Sequence, residues 1–254
     1  MHTLRFTDRS TADGILERDF TVGDVTGVLW SPGTGGRRAP LVLLGHGGGT
    51  HRKAPAMRGR AERIIAHSGF HVVSIDAPGH GGRPRTDVDE REIAALQAAM
   101  AAGEPVGPIV VRYNAHLAER AVPEWRAVLD ALQELPEIGA DGPVGYLGLN
   151  MGTAIGVPLA AVDSRITAAV FGLFWHDPLA ETARRVTIPV EFVIQWDDEH
   201  IPRPSGLALF DAFGSREKSL HANTGRHKEL PRFEADSAVR FFARHLGGGA
   251  VTPA

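Results

Sequence analysis

Short, mostly apolar runs alternate along the chain with longer amphipathic stretches. The apolar runs lie at Pro40–Gly45, His71–Asp76, Val144–Leu149, Ile166–Leu173, Val190–Trp196 and Glu217–Ala222. Runs that are apolar throughout, rather than alternating, are typical of parallel strands that are covered on both faces. Two earlier segments, Ile15–Val22 and Gly27–Ser31, are also predicted as strands, and they could form a hairpin.

Helical patterns separate the later strands. They lie at Met57–Ser68, Glu90–Ala102, Ala115–Leu135, Thr153–Ala161, Pro204–Phe213 and Arg232–Leu246. An antiparallel start followed by strand–helix–strand units predicts an α/β protein with an open, mostly parallel sheet and helices on both faces. In such sheets ligands bind beyond the carboxyl ends of the strands, so candidate chemistry is expected there.

Length and composition indicate one large domain. The chain has 254 residues, of which 43% are hydrophobic, and this is enough for a full core over residues 1–246. The remaining tail, 247–254, is predicted to be flexible. The segment Arg83–Arg120 is longer than a minimal connection needs, and Ala101–Pro108 interrupts it. It could form two small lid helices over the site, or one kinked surface helix.

Several classes of function are disfavoured. The chain has no cysteine, which excludes disulfides and thiolate metal sites. It has no apolar run of transmembrane length and no signal peptide, so we expect a cytoplasmic protein that does not enter membranes. The mixed net charge of −3 does not suggest nucleic acid. No phosphate-binding glycine loop and no metal-ligand spacing is present, so we expect a small-molecule substrate, no metal and no cofactor.

Five motifs follow five of the predicted strands. They are His46-Gly47-Gly48-Gly49, Asp76-Ala77-Pro78-Gly79-His80-Gly81, Gly148-Leu149-Asn150-Met151-Gly152, Asp198-Glu199-His200-Ile201-Pro202, and Gly225-Arg226-His227. Each is weak alone, because short patterns that contain glycine recur by chance. Together, in this order and at strand ends, they resemble the α/β-hydrolase fold, and most of all its dienelactone-hydrolase-like and small esterase members. The resemblance runs from about Gly27 to Leu246.

The resemblance implies a role for each motif. Asp198 takes the position of the acid and His227 that of the base, with Asp197 as a lesser candidate for the acid. The oxyanion hole would use the backbone amide of Met151 and one from Gly47 or Gly48.

Asn150 departs from the pattern, because the family carries a nucleophilic side chain there. An amide nitrogen is a poor nucleophile, so the acyl-enzyme route is in doubt. Three interpretations remain open. The chain could be an enzyme that uses the Asp198–His227 dyad without a covalent step, a serine ester or lactone hydrolase whose serine has been replaced, or a catalytically silent binding module. We favour the first, acting on a small carbonyl compound.

Further polar and aromatic side chains also lie at predicted strand ends, where some should line a substrate pocket. They are His46, His80, Trp175, His176, Trp196 and His200. Each one taken singly is more often a packing or loop residue.

Overall fold

The structure, a computed structural model, describes residues 3–33 and 38–247. One nine-stranded sheet runs through this part of the chain. Its strands are β1 (Leu4–Ala12), β2 (Ile15–Val22), β3 (Val25–Pro32), β4 (Leu41–Gly45), β5 (His71–Ile75), β6 (Val144–Gly148), β7 (Ile166–Gly172), β8 (Val190–Gln195) and β9 (Lys218–Asn223). The helices are α1 (Pro55–Ser68), α2 (Asp87–Ala102), α3 (Gly107–Gln133), α4 (Met151–Val162), α5 (Ala180–Arg184), α6 (Arg203–Ala212) and α7 (Phe233–Leu246).

The strand order is β1-β2-β3-β5-β4-β6-β7-β8-β9. Strands β1, β2 and β3 are antiparallel to one another and β3 is antiparallel to β5, whereas β4 to β9 pair in parallel. Every residue of β4, β5, β6 and β8 is buried, which explains why their sequences are mostly apolar. The predicted hairpin of β2 and β3 and the predicted mostly parallel sheet are confirmed.

Helices cover both faces of the sheet. One buried cluster packs α3 and α4 against the strands, through side chains such as Trp125 and Ile155. A second cluster packs α1 and α7 against the opposite face, with Ile64 and Phe242 at its centre. The α/β-hydrolase fold predicted from the motif order is therefore the fold of this chain. Among the described residues, no helix is long and apolar enough to cross a membrane.

Strand β1 was not predicted, and its sequence explains why. Eight of its nine residues are exposed, so it carries no apolar pattern. Its position is instead fixed by backbone pairing with β2 through a tight turn at Asp13-Gly14, where both residues have positive φ (51° and 75°). An Asp-Gly pair of this kind is a recognised hairpin signal.

The segment between β5 and β6 contains two separate helices and not one kinked helix. Thr86 and Asp89 form a capping box at the start of α2, and Gly103 ends that helix in the left-handed conformation. Helix α3 begins at Gly107, eight residues before the predicted start at Ala115. A covering role for these helices stays a prediction. The predicted flexible tail lies outside the described residues except for Gly247.

Candidate active site

Asn150 occupies a sharp turn between β6 and α4. Its backbone angles are φ 56° and ψ −120°, a sparsely populated region that is found where surrounding structure holds a residue in strain. Asparagine is among the non-glycine residues that best tolerate positive φ. The Asn150 N–H donates a hydrogen bond to the Gly172 carbonyl oxygen at the end of β7, at 3.1 Å. The turn is thus fastened to the neighbouring strand.

The glycines on either side of Asn150 make this turn possible. A Cβ atom on Gly148 would lie 2.6 Å from the Gly152 carbonyl, and one on Gly152 would lie 2.6 Å from the Gly45 carbonyl oxygen. The Thr153 hydroxyl accepts a hydrogen bond from the Gly172 N–H at 2.9 Å. Backbone contacts therefore maintain the turn, and the side chain of residue 150 contributes no capping hydrogen bond to it.

Asp198 and His227 form a close pair across the ends of β8 and β9. Asp198 Oδ2 lies 2.7 Å from His227 Nδ1, and the two side chains are 3% and 14% exposed. The other carboxylate oxygen, Oδ1, accepts hydrogen bonds from the backbone N–H groups of His200 (2.8 Å) and Ile201 (2.9 Å). Burial by itself would raise the pKa of Asp198, but the bonds from His227, Ile201 and His200 outweigh it and lower that pKa. The carboxylate is therefore charged and fixed in orientation at neutral pH.

Two neighbours of Asp198 along the chain contact the loop that carries His227. Glu199 Oε2 accepts a hydrogen bond from the His227 backbone N–H at 2.9 Å. The His200 ring packs edge-on against the His227 ring, with 5.2 Å between centroids. Asp197, the lesser candidate for the acid, is exposed and instead accepts a bond from the Gly225 N–H at 3.3 Å.

The glycine-rich loop after β4 has open space beside two of its glycines. Cβ atoms added to Gly47 or Gly48 would contact nothing within 4 Å. Met151 is the first residue of α4, so its N–H has no acceptor within the helix, and none is found among the described residues. The family resemblance implies that the amides of Met151 and of Gly47 or Gly48 form an oxyanion hole, and this role stays a prediction.

His46 is buried and has a clear structural contact. Its Nε2 accepts a hydrogen bond from the Ala77 N–H at 3.0 Å, so its Nδ1 carries the proton and donates to the Gly47 carbonyl oxygen at 2.9 Å. Burial lowers the pKa of His46 to about 4, so the ring is neutral at pH 7. This histidine joins the loops that follow β4 and β5, and its predicted contact with substrate stays a prediction.

The other predicted pocket residues are partly or well exposed near strand ends. Trp196 is 38% exposed, and the guanidinium of Arg203 lies 3.8 Å from the centre of its ring system. Trp175 packs edge-on against Phe174, and the remaining two, His80 and His176, are half-buried. Substrate contact by these four residues, and by His200 beside the His227 ring, stays a prediction.

A cavity of about 340 Å³ lies between α3, α4 and the segment around α5. It reaches the first turn of α4 at Ala154, whose N–H donates to the Asn150 carbonyl oxygen at 3.1 Å. Its lining is mainly apolar and does not include Asp198 or His227. This cavity was not predicted from the sequence. Small residues spaced along α3, such as Ala115 and Ala118, line it and leave room for it.

The side chains that could bind a metal ion lie away from the Asp198–His227 pair. Among the described residues, the one group of three or more with suitable donor atoms is Glu191, His221 and Glu234. It lies under α7 rather than at the edge of the sheet where Asn150 and His227 stand.

Comparison with known proteins gives a specific result only among solved structures. No protein-family model matches the chain, and no curated protein matches its sequence. A cold-adapted esterase from an Arctic intertidal metagenomic library, solved with polyethylene glycol bound, is 31% identical over 95% of this chain and 99% of its own, with a TM-score of 0.76. A zinc-bound structure described in the same terms is 28% identical over the same shares, with a TM-score of 0.71. Acetyl xylan esterase 1 from Thermoanaerobacterium sp. is 16% identical over 95% of this chain and 87% of its own (TM-score 0.66), and it shares the fold.

Proposed function

The chain belongs to the same family as the cold-adapted esterase, a family of esterases with the α/β-hydrolase fold, and from this premise we propose that it acts on the carbonyl group of a small ester or lactone. The proposal extends to the reaction: Asp198 and His227 transfer protons, backbone amides hold the oxyanion, and Asn150 supplies no nucleophile. The observation that carries it is the 2.7 Å contact between Asp198 Oδ2 and His227 Nδ1 in a chain whose elbow side chain is an amide.

The paired carboxylate determines what His227 can do. With Nδ1–H donating to Asp198, the lone pair of the neutral ring is on Nε2, which is free to act as a base. His227 Nε2 removes a proton from water, and the hydroxide adds to the substrate carbonyl. The resulting oxyanion is held by the amides of Met151 and of Gly47 or Gly48. Collapse of this intermediate expels the alkoxide, which takes the proton back from the imidazolium.

Asn150 has a supporting role in this scheme. Its NH₂ group can donate and its oxygen can accept, so it can hold the attacking water or a substrate oxygen in either protonation state of His227. The same base facing an oxyanion hole can also remove a proton next to a carbonyl, which gives an isomerised rather than a hydrolysed product.

A second candidate function is favoured by the intact elbow. The turn is held by backbone and glycine contacts that do not involve the side chain at 150, so these contacts would also be present around a serine. The chain would then be a serine ester hydrolase that has lost its nucleophile. In a serine protease, losing the nucleophile costs roughly 10⁶ in turnover.

One set of variants separates these functions. Hydrolysis of p-nitrophenyl acetate is measured for the unmodified protein, Asn150→Ser and His227→Ala, with His67→Ala, an exposed histidine on α1, as the matched control. If the dyad acts without a covalent step, the unmodified protein hydrolyses the ester, His227→Ala abolishes this, and His67→Ala does not.

The size of the gain in Asn150→Ser decides the second candidate. A gain of several orders of magnitude, up to roughly 10⁶, indicates a serine hydrolase with its nucleophile replaced. A gain of a few fold rules that candidate out. No hydrolysis by any of the proteins, with all of them folded and still binding esters in a thermal-shift screen, contradicts both enzymatic proposals and leaves a binding module.

A further inference from the structure

A second cluster of titratable side chains lies under α7, on the face of the sheet formed by β8 and β9. In the parallel pairing, Glu191 is opposite Ser219 and Val193 is opposite His221, so Glu191 and His221 point to the same face. Glu234, in the first turn of α7, meets them from the helix. Three separate elements therefore contribute one side chain each to this cluster.

The three side chains are close enough to share one ion. His221 Nδ1 lies 2.7 Å from Glu234 Oε2, and His221 Nε2 lies 3.7 Å from Glu191 Oε2. One donor atom from each residue can be chosen so that all three lie within 4.8 Å of one another. The two carboxylate side chains are each 5% exposed, whereas His221 is 27% exposed and gives access from solvent.

One carboxylate oxygen in the cluster lacks a partner. Glu191 Oε2 accepts a hydrogen bond from the Ser237 hydroxyl at 3.1 Å, but Oε1 is buried and has no hydrogen-bond partner. A buried acceptor left in this state is costly, and more so if it is charged.

The His221 ring alone does not satisfy both carboxylates. It would satisfy Glu234 through Nδ1, but 3.7 Å from Nε2 to Glu191 is too long for a hydrogen bond. Glu191 Oε1 would also remain without a partner. A cation bound among the three side chains, with Glu191 coordinating through Oε1 or through both oxygens, would supply the missing partner.

We propose that Glu191, His221 and Glu234 form a binding site for a divalent first-row transition metal ion, with zinc as the test ion. Two carboxylates and one imidazole are ligands that Zn²⁺ accepts, and water can complete the coordination on the exposed side of His221. No metal was expected from the sequence, because ligand motifs are recognised there by local spacing, and these three residues come together only through strand pairing and helix docking.

The position of the site indicates a structural rather than a catalytic ion. Glu191 precedes the end of β8 by four residues, about 13 Å of strand, and the Asp198–His227 pair lies beyond that end. However, His221 is close to the end of β9 and Glu234 is at the start of α7, so they flank the loop that carries His227. An ion bound by both would fasten the two ends of that loop.

Metal binding is measured directly, without a turnover assay. The protein is treated with a chelator, and zinc binding is followed by calorimetry, by metal analysis after gel filtration, and by the change in Tm. The variants are Glu191→Gln and Glu234→Gln, which preserve side-chain volume, and the matched controls are Glu62→Gln and His67→Gln on the exposed face of α1.

We expect one zinc per chain, a Tm that rises with zinc concentration, and affinity lower by at least about tenfold in either cluster variant but unchanged in both controls. Cobalt, added in place of zinc, should give visible absorption bands of a low-coordinate site in the unmodified protein. Zinc that binds equally to the unmodified protein and both cluster variants would be held by other surface groups, and the proposal would be wrong. Absence of stoichiometric binding and of the cobalt bands would also overturn it, even if a variant failed to fold.

Discussion

Replacing Asp198 by asparagine should invert the protonation pattern of His227. In the structure Asp198 Oδ1 accepts two backbone N–H bonds, from His200 and Ile201, while Oδ2 accepts one from His227 Nδ1. An asparagine at 198 has one oxygen and one NH₂ group for these two positions. Its oxygen should take the Oδ1 position, because two fixed donors point there.

The magnitude follows from counting the bonds in each orientation. With the oxygen toward His200 and Ile201, both backbone bonds survive and the NH₂ group donates to His227 Nδ1. In the reverse orientation two backbone donors face an NH₂ group, and at about 1–3 kcal/mol each this costs about 2–6 kcal/mol. The first orientation therefore dominates. The His227 proton is then forced onto Nε2, which removes the lone pair that the proposed base would use, and the same exchange in a serine protease lowers turnover by about 10⁴.

Nitrogen-15 NMR of the histidine ring tests this inference without any substrate. In the unmodified protein at a pH where the ring is neutral, we expect the proton on Nδ1, and in Asp198→Asn we expect it on Nε2. Asp197→Asn is the matched control and should leave the Nδ1 proton in place. In parallel, ester hydrolysis should fall by about 10⁴ in Asp198→Asn, measured in whichever of the unmodified or Asn150→Ser proteins is active. An Nδ1–H ring in Asp198→Asn, or turnover equal to that of the parent, would refute the reasoning.

Two further predictions concern stability. Gly152→Ala should destabilise the protein by about 1–3 kcal/mol in urea unfolding, because its Cβ would lie 2.6 Å from the Gly45 carbonyl oxygen. The control, Gly59→Ala, lies in open space on α1 and should instead stabilise the protein by about 0.5–1 kcal/mol. Equal effects of the two substitutions would contradict the packing argument. For Asp76, burial would raise the pKa, but the Arg52 backbone N–H and guanidinium outweigh it and lower that pKa. The stabilisation of the folded state by the Asp76 carboxylate is therefore present above about pH 4 and is lost as the pH falls through the lowered pKa. Asp76→Asn should flatten the acid side of a plot of unfolding free energy against pH. An unchanged slope would contradict this.

The order of the strands and helices and the turn at Asn150 were predictable because they depend on local sequence, whereas the Asp198–His227 pair was expected from the family resemblance. A strand that ends in glycines, followed by a helix, indicates a tight turn wherever it occurs, and Asn150 lies in one. The pairing of Asp198 with His227 follows from the neighbouring positions of β8 and β9, and the structure brings their side chains to 2.7 Å. The catalytic roles of these residues stay predictions.

Other features could not be read from local sequence. Strand β1 is exposed, so it has no apolar periodicity, and its place in the sheet comes from backbone hydrogen bonds to β2. The cluster of Glu191, His221 and Glu234 depends on strand register and on where α7 docks. The cavity beside α4 depends on how three helices pack against one another. Each of these is a property of contacts between elements that are distant along the chain.

The rigidity of the turn at Asn150 also bears on how this chain could change during evolution. The conformation is held by Gly45, Gly148 and Gly152 and by the bond to Gly172, none of which involves the side chain at 150. Serine and asparagine codons can differ by one base, so a single mutation can exchange a nucleophilic for a non-nucleophilic residue while the backbone stays in place. Such an exchange alters none of the contacts that hold the turn, so the turn itself requires no compensating substitution.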